Sequence, residues 1–375
     1  EVNLSGVDLS NKDLTGTILT SANLSGVNLD GVDLRNMDLS EVNLSGVDLS
    51  NKDLTGTIFK YSKKVKISLI KPSNSHWLAA NELQNLNITK YDLNDDLQYL
   101  ATKEGFLFES KNNQVRLVLD LNNDAQYAFN DVGAESGLLS VASNNKLVYV
   151  SYTIKDFNKL ESLIVDEYSL NFTKVRNILK IEGFNSAHFG GSLLFDDLGQ
   201  LYLSVGDGEH VPGLENRAQN LNYFKGKVLR LDISSSKKDP EIIAYGIRNP
   251  WGVTIDSKNR MFILQCGFND VEAVYLLNNL DSDKPVNIGW PIFEGSLKRQ
   301  ESSLMFNDIL APIFETRSRP GCLTAGVYLD DIESFLFADF YGVIRLLKEE
   351  DGDWHLLDEF KKDELIWGFG LDKIT

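Results

Sequence analysis

The chain has 375 residues, with 37 Lys and Arg against 54 Asp and Glu, for a formal net charge of −17. That balance argues against a nucleic-acid backbone as partner, because phosphate recognition needs a surplus of cations. No apolar run approaches the roughly 18 residues of a membrane span, and the two cysteines, Cys266 and Cys322, are too few for a disulfide framework but enough for one bridge.

From residue 4 to residue 59, Leu or Phe recurs every five residues, usually with Asn or Asp just before it. Twelve units follow without a break, from EVNLS and GVDLS to NKDLT and GTIFK. A period of five fits neither a helix nor a paired strand, but it fits a chain that turns a corner every five residues and stacks on itself. The segment resembles the pentapeptide-repeat family, which implies a right-handed quadrilateral β-helix with about twenty residues per coil and a surface suited to a protein partner. Leu4, Leu24 and Leu44 should then stack, as should Leu19, Leu39 and Phe59. Lys12 and Lys52 sit at inward positions of the first and last coils, where their stems can reach out of an open end. Val32 lies between them, so the middle coil should be the dry one. The chain opens without Met inside a repeat and carries no signal peptide, so a fragment or a processed product is expected.

The domains expected are a β-helix over 1–60, a linker or first strand over 61–75, and an all-β unit over 76–375. Short β-rich runs broken by turn residues fill the last region, among them GFLFES, KLVYVSYT, QLYLSVGDG, RMFILQCG and FLFADF. Strand, Asp/Asn/Gly turn and strand recur, as in LLFDDLGQLYLSV and VTIDSKNRMFIL. That much repeated hairpin exceeds a sandwich and predicts a propeller of six four-stranded blades. The segments near 80–90 and 296–310 look weakly helical or loop-like, and KEEDGD at Lys348 to Asp353 reads as a hairpin tip.

His188 precedes the glycine pair Gly190 and Gly191 in NSAHFGGSLLF, at the entry to a strand, and an imidazole titrates in the range suited to a general base. AYGIRNPWG follows at Ala244 to Gly252, and NIGWPIFEG at Asn287 to Gly295. With ESGLLSVA, QNLNYFKGKVLRL, GCLTAGVYL and FLFADFYGVIRLL, these stretches occur in one order. In that order, from about Leu93 to the end, the chain resembles the glucose/sorbosone dehydrogenase family, soluble quinoproteins with six-bladed propellers. The resemblance is nearest to the branch containing hedgehog-interacting-type propellers.

What the resemblance implies is oxidation of a sugar C1 hydroxyl with pyrroloquinoline quinone (PQQ) and calcium, in a periplasmic or extracellular setting. It places His188 as base, Arg248 beside the quinone oxygens, Asn249 next to it in the cofactor site, and Asp207 on the sugar or orienting the histidine. It gives Gly267 and Phe268 as backbone carbonyl ligands to calcium. Departures are visible: Trp251 stands where sugar-oxidising members have Gln, QCGFNDVEAV replaces their calcium loop, and ELIWGFG offers no Arg for the cofactor carboxylates. Arg317, Arg319 and Lys298 are the remaining candidates to supply that charge. The chain also stops at Thr375, ahead of the strand with which the family completes its last blade, so a truncated ring is expected. The alternative is a non-catalytic binding propeller with the solenoid as a second interaction surface. Trp290 and Pro291 read as core and turn, rather than as substrate contacts.

Overall fold

In the computed structural model the described residues are 2–39, 42–44, 47, 78–79, 88–93, 98–111, 114–121, 135–155, 161–185, 187–209, 216–234, 239–317 and 321–361. They form two compact units, one of Glu1–Leu86 with Ser110–Leu117, the other of Asn87–Glu109 with Val118–Thr375.

In the first unit the five-residue period becomes a turn at each centre. The N–H of Val7 donates to the Leu4 carbonyl, that of Lys12 to Leu9, and so on to Val47 on Leu44. The Asn or Asp before each centre braces that turn, because its Oδ1 accepts the N–H two residues on, as with Asn3 and Ser5, Asp8 and Ser10, and Asp33 and Arg35. Parallel bridges Asn3 to Asn23, Asp8 to Asn28 and Asn23 to Asn43 establish the twenty-residue coil. Leu19, Leu24, Leu29, Leu34, Leu39 and Leu44 fill its interior with Ala22, Val27, Val32, Met37, Val42 and Val47. Leu4, Leu9 and Leu14 of the first coil are only partly buried and Lys12 is exposed, whereas Val42, Leu44 and Val47 of the third coil are as buried as the interior of the second, so dryness does not single out the middle coil among the described residues. Lys52 and Phe59 lie outside the described residues.

The second unit is a propeller-like succession of antiparallel sheets, and here the blade count differs from expectation. Five blade-sized sheets, not six, are present among the described residues. The first contains Ile88–Leu93, Gln98–Thr102 and Phe106–Lys111, and the second Leu138–Ser143, Leu147–Lys155, Glu161–Ser169 and Lys174–Phe184. The third contains Gly190–Phe195, Leu201–Val205, Lys227–Leu231 and Glu241–Tyr245, with Val286–Asn287 added in parallel. The fourth is Asn249–Ile255, Met261–Cys266, Glu272–Leu277 and Phe314–Thr316, and the fifth Leu323–Leu329, Ser334–Asp339, Val343–Glu350 and Asp353–Lys361.

The leading strand of each sheet packs against the leading strands of its neighbours, which makes those strands the inner wall. Each carries a register shift near its start, at Ile88/Lys90, Leu138/Ser140, Gly190/Leu193, Pro250/Gly252 and Leu323/Ala325. A bulge there re-aims the residues that enter the strand, so the five entry points are set apart from the regular ladder. Between the sheets, apolar side chains from facing strands close-pack, for example Tyr149, Leu193 and Leu229 between the second and third.

The hairpin tip expected at KEEDGD is present, with Glu350 opposite Asp353 across Asp351 and Gly352. The stretch 296–310 holds a two-residue strand and one 3-10 turn, Phe306–Asp308. Cys266, at the end of its strand in the fourth sheet, is bonded to Cys322 at the entry to the fifth, so the single bridge left open by the sequence is present.

Candidate active site

Two hairpins deliver the central residues. Gly190 pairs with Val205 in the third sheet, and extending that register two residues outward sets His188 opposite Asp207. Asn249 pairs with Cys266 in the fourth sheet, and one residue outward Arg248 faces Gly267. Both sets leave the ladder at the entry to an inner strand, and two hydrogen bonds stitch the neighbouring entries together. Asp207 N donates to the Arg248 carbonyl at 2.7 Å, and Gly190 N to Asn249 Oδ1 at 3.2 Å.

The backbone is shaped to permit this. His188 itself lies at φ 53, and Gly190 and Gly191 at φ 63 and 89, left-handed positions on either side of Phe189 that bend the chain as it enters the strand. Gly206 is needed for another reason: a Cβ there would meet the His188 carbonyl at 2.0 Å.

The side chains form a continuous buried line. His188 Nδ1 lies 2.7 Å from Asp207 Oδ1, and His188 Nε2 lies 2.8 Å from Arg248 Nη2. Since a guanidinium can only donate, Nε2 accepts and Nδ1 carries the proton toward the carboxylate. Asp207 is 1% exposed, His188 5% and Arg248 8%. Asp207 Oδ1 also accepts the N–H of Glu209, and Oδ2 accepts Trp290 Nε1–H at 2.8 Å.

Arg248 extends onward, its Nη1 donating to the carbonyls of Cys266 and Gly267. Its plane lies over the rings of Phe268 and Trp290, 5.5 and 5.7 Å from their centroids. Burial pulls the Arg248 guanidinium below its ordinary range, while Asp207, Glu135, Glu272 and Glu294 oppose that pull. Its Nε is buried without a hydrogen-bond partner.

Four further residues hold the centre and had no role assigned from sequence. Glu135 Oε2 accepts the N–H of His188 at 2.6 Å and Nδ2 of Asn249 at 3.0 Å, joining the entries of three sheets. Gln265 Oε1 accepts the N–H of Arg248 at 3.1 Å. Glu294 Oε1 accepts four consecutive N–H groups, Phe268 through Val271, and its other oxygen meets Arg299. Trp290 anchors Asp207. The available signals were weak ones: Glu135, Trp290 and Glu294 all fall inside stretches whose order carried the family resemblance.

The expected cofactor set fits this centre unevenly. An unpartnered buried Nε on a guanidinium is a donor awaiting an acceptor, which suits the oxygen of an anionic quinone. Calcium at Gly267 would have to take or share that carbonyl with Arg248. Of the further cations considered, Arg317 pairs with Glu315 and Lys298 meets the Ser302 carbonyl. Arg319 and the ELIWGFG stretch lie outside the described residues.

A propeller-like all-β unit with a buried His, Asp and Arg centre at the entries of its inner strands is the class that fold and geometry define. The family model described as Glucose / Sorbosone dehydrogenase matches residues 95–305, and the chain belongs to that family. The model for pentapeptide repeats matches residues 1–36 and 38–63 in eight copies.

Relatives are distant. The HIPL2 protein of Arabidopsis thaliana is 29% identical over 174 residues, covering 35% of this chain and 24% of that protein. Aldose sugar dehydrogenase YliI of Escherichia coli (strain K12) is 31% identical over 117 residues, covering 28% and 29%. The hedgehog-interacting protein of Homo sapiens is 28% identical over 193 residues, covering 42% and 27%. The match thus spans under a third of each relative. Among solved structures, the PQQ-bound aldose sugar dehydrogenase of Streptomyces coelicolor superposes with a TM-score of 0.57 at 17% identity, over 74% of this chain and 82% of that one. The apo-form of the soluble aldose sugar dehydrogenase of Escherichia coli gives 0.57 at 18% identity, over 73% and 86%. At such identities these structures speak for the fold.

Proposed function

We propose that this protein is a quinone-dependent sugar dehydrogenase that oxidises the C1 hydroxyl of an aldose, with His188 as the base. The observation that carries the reading is the buried line from Asp207 through His188 to Arg248, with contacts of 2.7 and 2.8 Å. Asp207 holds the imidazole with its proton on Nδ1, so Nε2 is the basic nitrogen, and Arg248 Nη2, which donates to it in this structure, has to release it before it can abstract a proton. As the imidazole gains charge, the adjacent carboxylate stabilises it without moving, the arrangement that also serves histidine bases elsewhere. Arg248 provides fixed positive charge in a water-poor setting, where it lowers the cost of negative charge developing beside it. Bound PQQ would supply the hydride acceptor, held at Arg248 with Asn249 in the adjoining wall. Calcium stays outside these steps, because the Gly267 carbonyl accepts from Arg248 in this geometry.

A periplasmic or extracellular location belongs to the same reading. The Cys266–Cys322 bridge supports it, since such bonds persist in oxidising compartments. The second reading, a binding propeller without turnover, draws support from Arg248 being seated on Gly267 and from the likeness to hedgehog-interacting protein. The solenoid would then serve as a second surface for a protein partner.

Reconstitution with PQQ, with and without calcium, followed by dye reduction against a panel of aldoses, separates the two. Saturable quinone uptake with aldose-dependent dye reduction supports the dehydrogenase. No uptake and no turnover in either condition overturns it.

A further inference from the structure

Trp290 is 1% exposed and among the largest side chains fully enclosed by the fold. A buried indole N–H requires an acceptor, and any nearby backbone carbonyl would serve for packing alone. Here the acceptor is Oδ2 of Asp207, the carboxylate whose other oxygen meets His188. The backbone of Trp290 is itself clamped on both sides: its N–H donates to the Gly246 carbonyl at 2.8 Å, and its carbonyl accepts Gln219 Nε2 at 2.8 Å. Gly246 lies two residues before Arg248, so the indole is referenced to the turn that carries the guanidinium.

We propose that Trp290 is the positioning residue of this centre: its indole N–H fixes the Asp207 carboxylate and so sets the alignment and strength of the hydrogen bond that His188 Nδ1–H donates to it, while Arg248 holds Nε2 as the acceptor. The mechanism is geometric. A carboxylate held at one oxygen only can swing about its terminal bond, and the hydrogen bond that an imidazole donates to it then lengthens and bends. Glu209 N contributes to the Oδ1 side at 3.0 Å, which leaves the indole as the contact that fixes Oδ2. The charged groups facing His188 among the described residues are Asp207 at Nδ1, Arg248 at Nε2 and Glu135 at its backbone N–H. Of these, Asp207 meets Trp290 by hydrogen bond and Arg248 by stacking.

The assignment of His188 as base rests on the dehydrogenase reading, whereas the test below does not require turnover. Long-range proton–nitrogen NMR on the full chain with labelled histidine reports the tautomer, and the His188 signals are identified by their loss in H188Q. Wild type should show one neutral form, protonated at Nδ1. Trp290→Phe should keep that form, because Arg248 still donates to Nε2, but move the Nδ1-bound proton signal upfield as its hydrogen bond to Asp207 weakens. Replacement of Trp290 by benzothienylalanine, which keeps the ring shape and lacks the N–H, should do the same and decides the matter if the Phe variant does not fold. A wild-type His188 protonated at Nε2, or an Nδ1-bound proton signal unmoved in the isostere, would overturn the proposal. Absence of aldose oxidation by the wild type would instead count against the dehydrogenase reading and leave the tautomer result readable.

Discussion

Gly206 sets the tightest constraint at the scale of single residues. Its backbone is outside the left-handed region, yet a methyl group there would overlap the His188 carbonyl at 2.0 Å. Gly206→Ala must therefore displace the loop that carries the imidazole, and overpacking of this kind costs about 1–3 kcal/mol. Urea unfolding should show that loss. A crystal structure of the variant should show His188 drawn away from Asp207; unchanged stability together with an unmoved His188 would refute the steric cause. At this scale much of the centre was legible in the sequence. His188, Asp207 and Arg248 each sit beside glycine or proline that mark strand entries, and the family resemblance named all three. Glu135 and Trp290 were not legible as site residues, because what defines them is a hydrogen bond across 53 and 83 positions of chain. A tryptophan in an apolar motif reads as core, and Trp290 is core; its N–H on Asp207 and its ring against Arg248 tie it to the centre.

Elements show the same division between local and long-range causes. The five-residue period was readable because both devices that build it, the turn at each centre and the Asx contact before it, span at most three residues. Asp8, Asp13 and Asp33 have carboxyls held below the ordinary value of 3.8, chiefly by hydrogen bonds from Ser10, Thr15 and Arg35. A depressed folded value means that stability is fully present above pH 3.8 and is lost as pH falls through the lower folded values. Hydrogen exchange of the Ser10, Thr15 and Arg35 amides should accelerate in that acid window. A variant with Asn at positions 8, 13 and 33 should lose this acid dependence, since Asn keeps the accepting oxygen, as Asn3, Asn23 and Asn28 do naturally.

The loop after the fourth sheet's second strand is governed from farther away. Glu294 takes four of its N–H groups and pairs with Arg299. Glu294→Ala strands those donors, although Arg299 keeps its pair with Asp270, and removing one partner of a buried pair costs about 3–5 kcal/mol. Denaturant unfolding checks it; a loss under about 1 kcal/mol, the size of a surface pair, would show that the loop holds itself. Nothing local in QCGFNDVEAV foretold this, because its organising carboxylate arrives from the WPIFEG hairpin.

For the molecule as a whole, the sheet succession followed from the alternating hairpins, while the number of sheets did not. The expectation of six blades came from dividing length by blade size, and the insert that carries Trp290 and Glu294 between two strands of the fourth sheet takes up residues that such division assigns to strands. The outer strand Lys174–Phe184 was also missed, since its largely exposed pattern lacks the apolar run that marked the inner ones. Neighbouring fourth and fifth sheets are joined covalently by Cys266 and Cys322, 56 residues apart in sequence. A bridge closing such a loop contributes about 2–4 kcal/mol. The double replacement of both cysteines by Ser should lower the unfolding free energy by that amount, and equal stability of the oxidised and Ser-substituted proteins would show that the two sheets are held by packing alone.

The proposed dehydrogenase turns on His188 Nε2 taking the proton of the sugar C1 hydroxyl while hydride leaves C1. The most direct measurement is the rate of dye reduction by PQQ-loaded protein with an aldose deuterated at C1, in wild type and His188→Gln. A primary isotope effect in the wild type and loss of turnover in the variant are expected. Turnover in His188→Gln at the wild-type rate would contradict the claim.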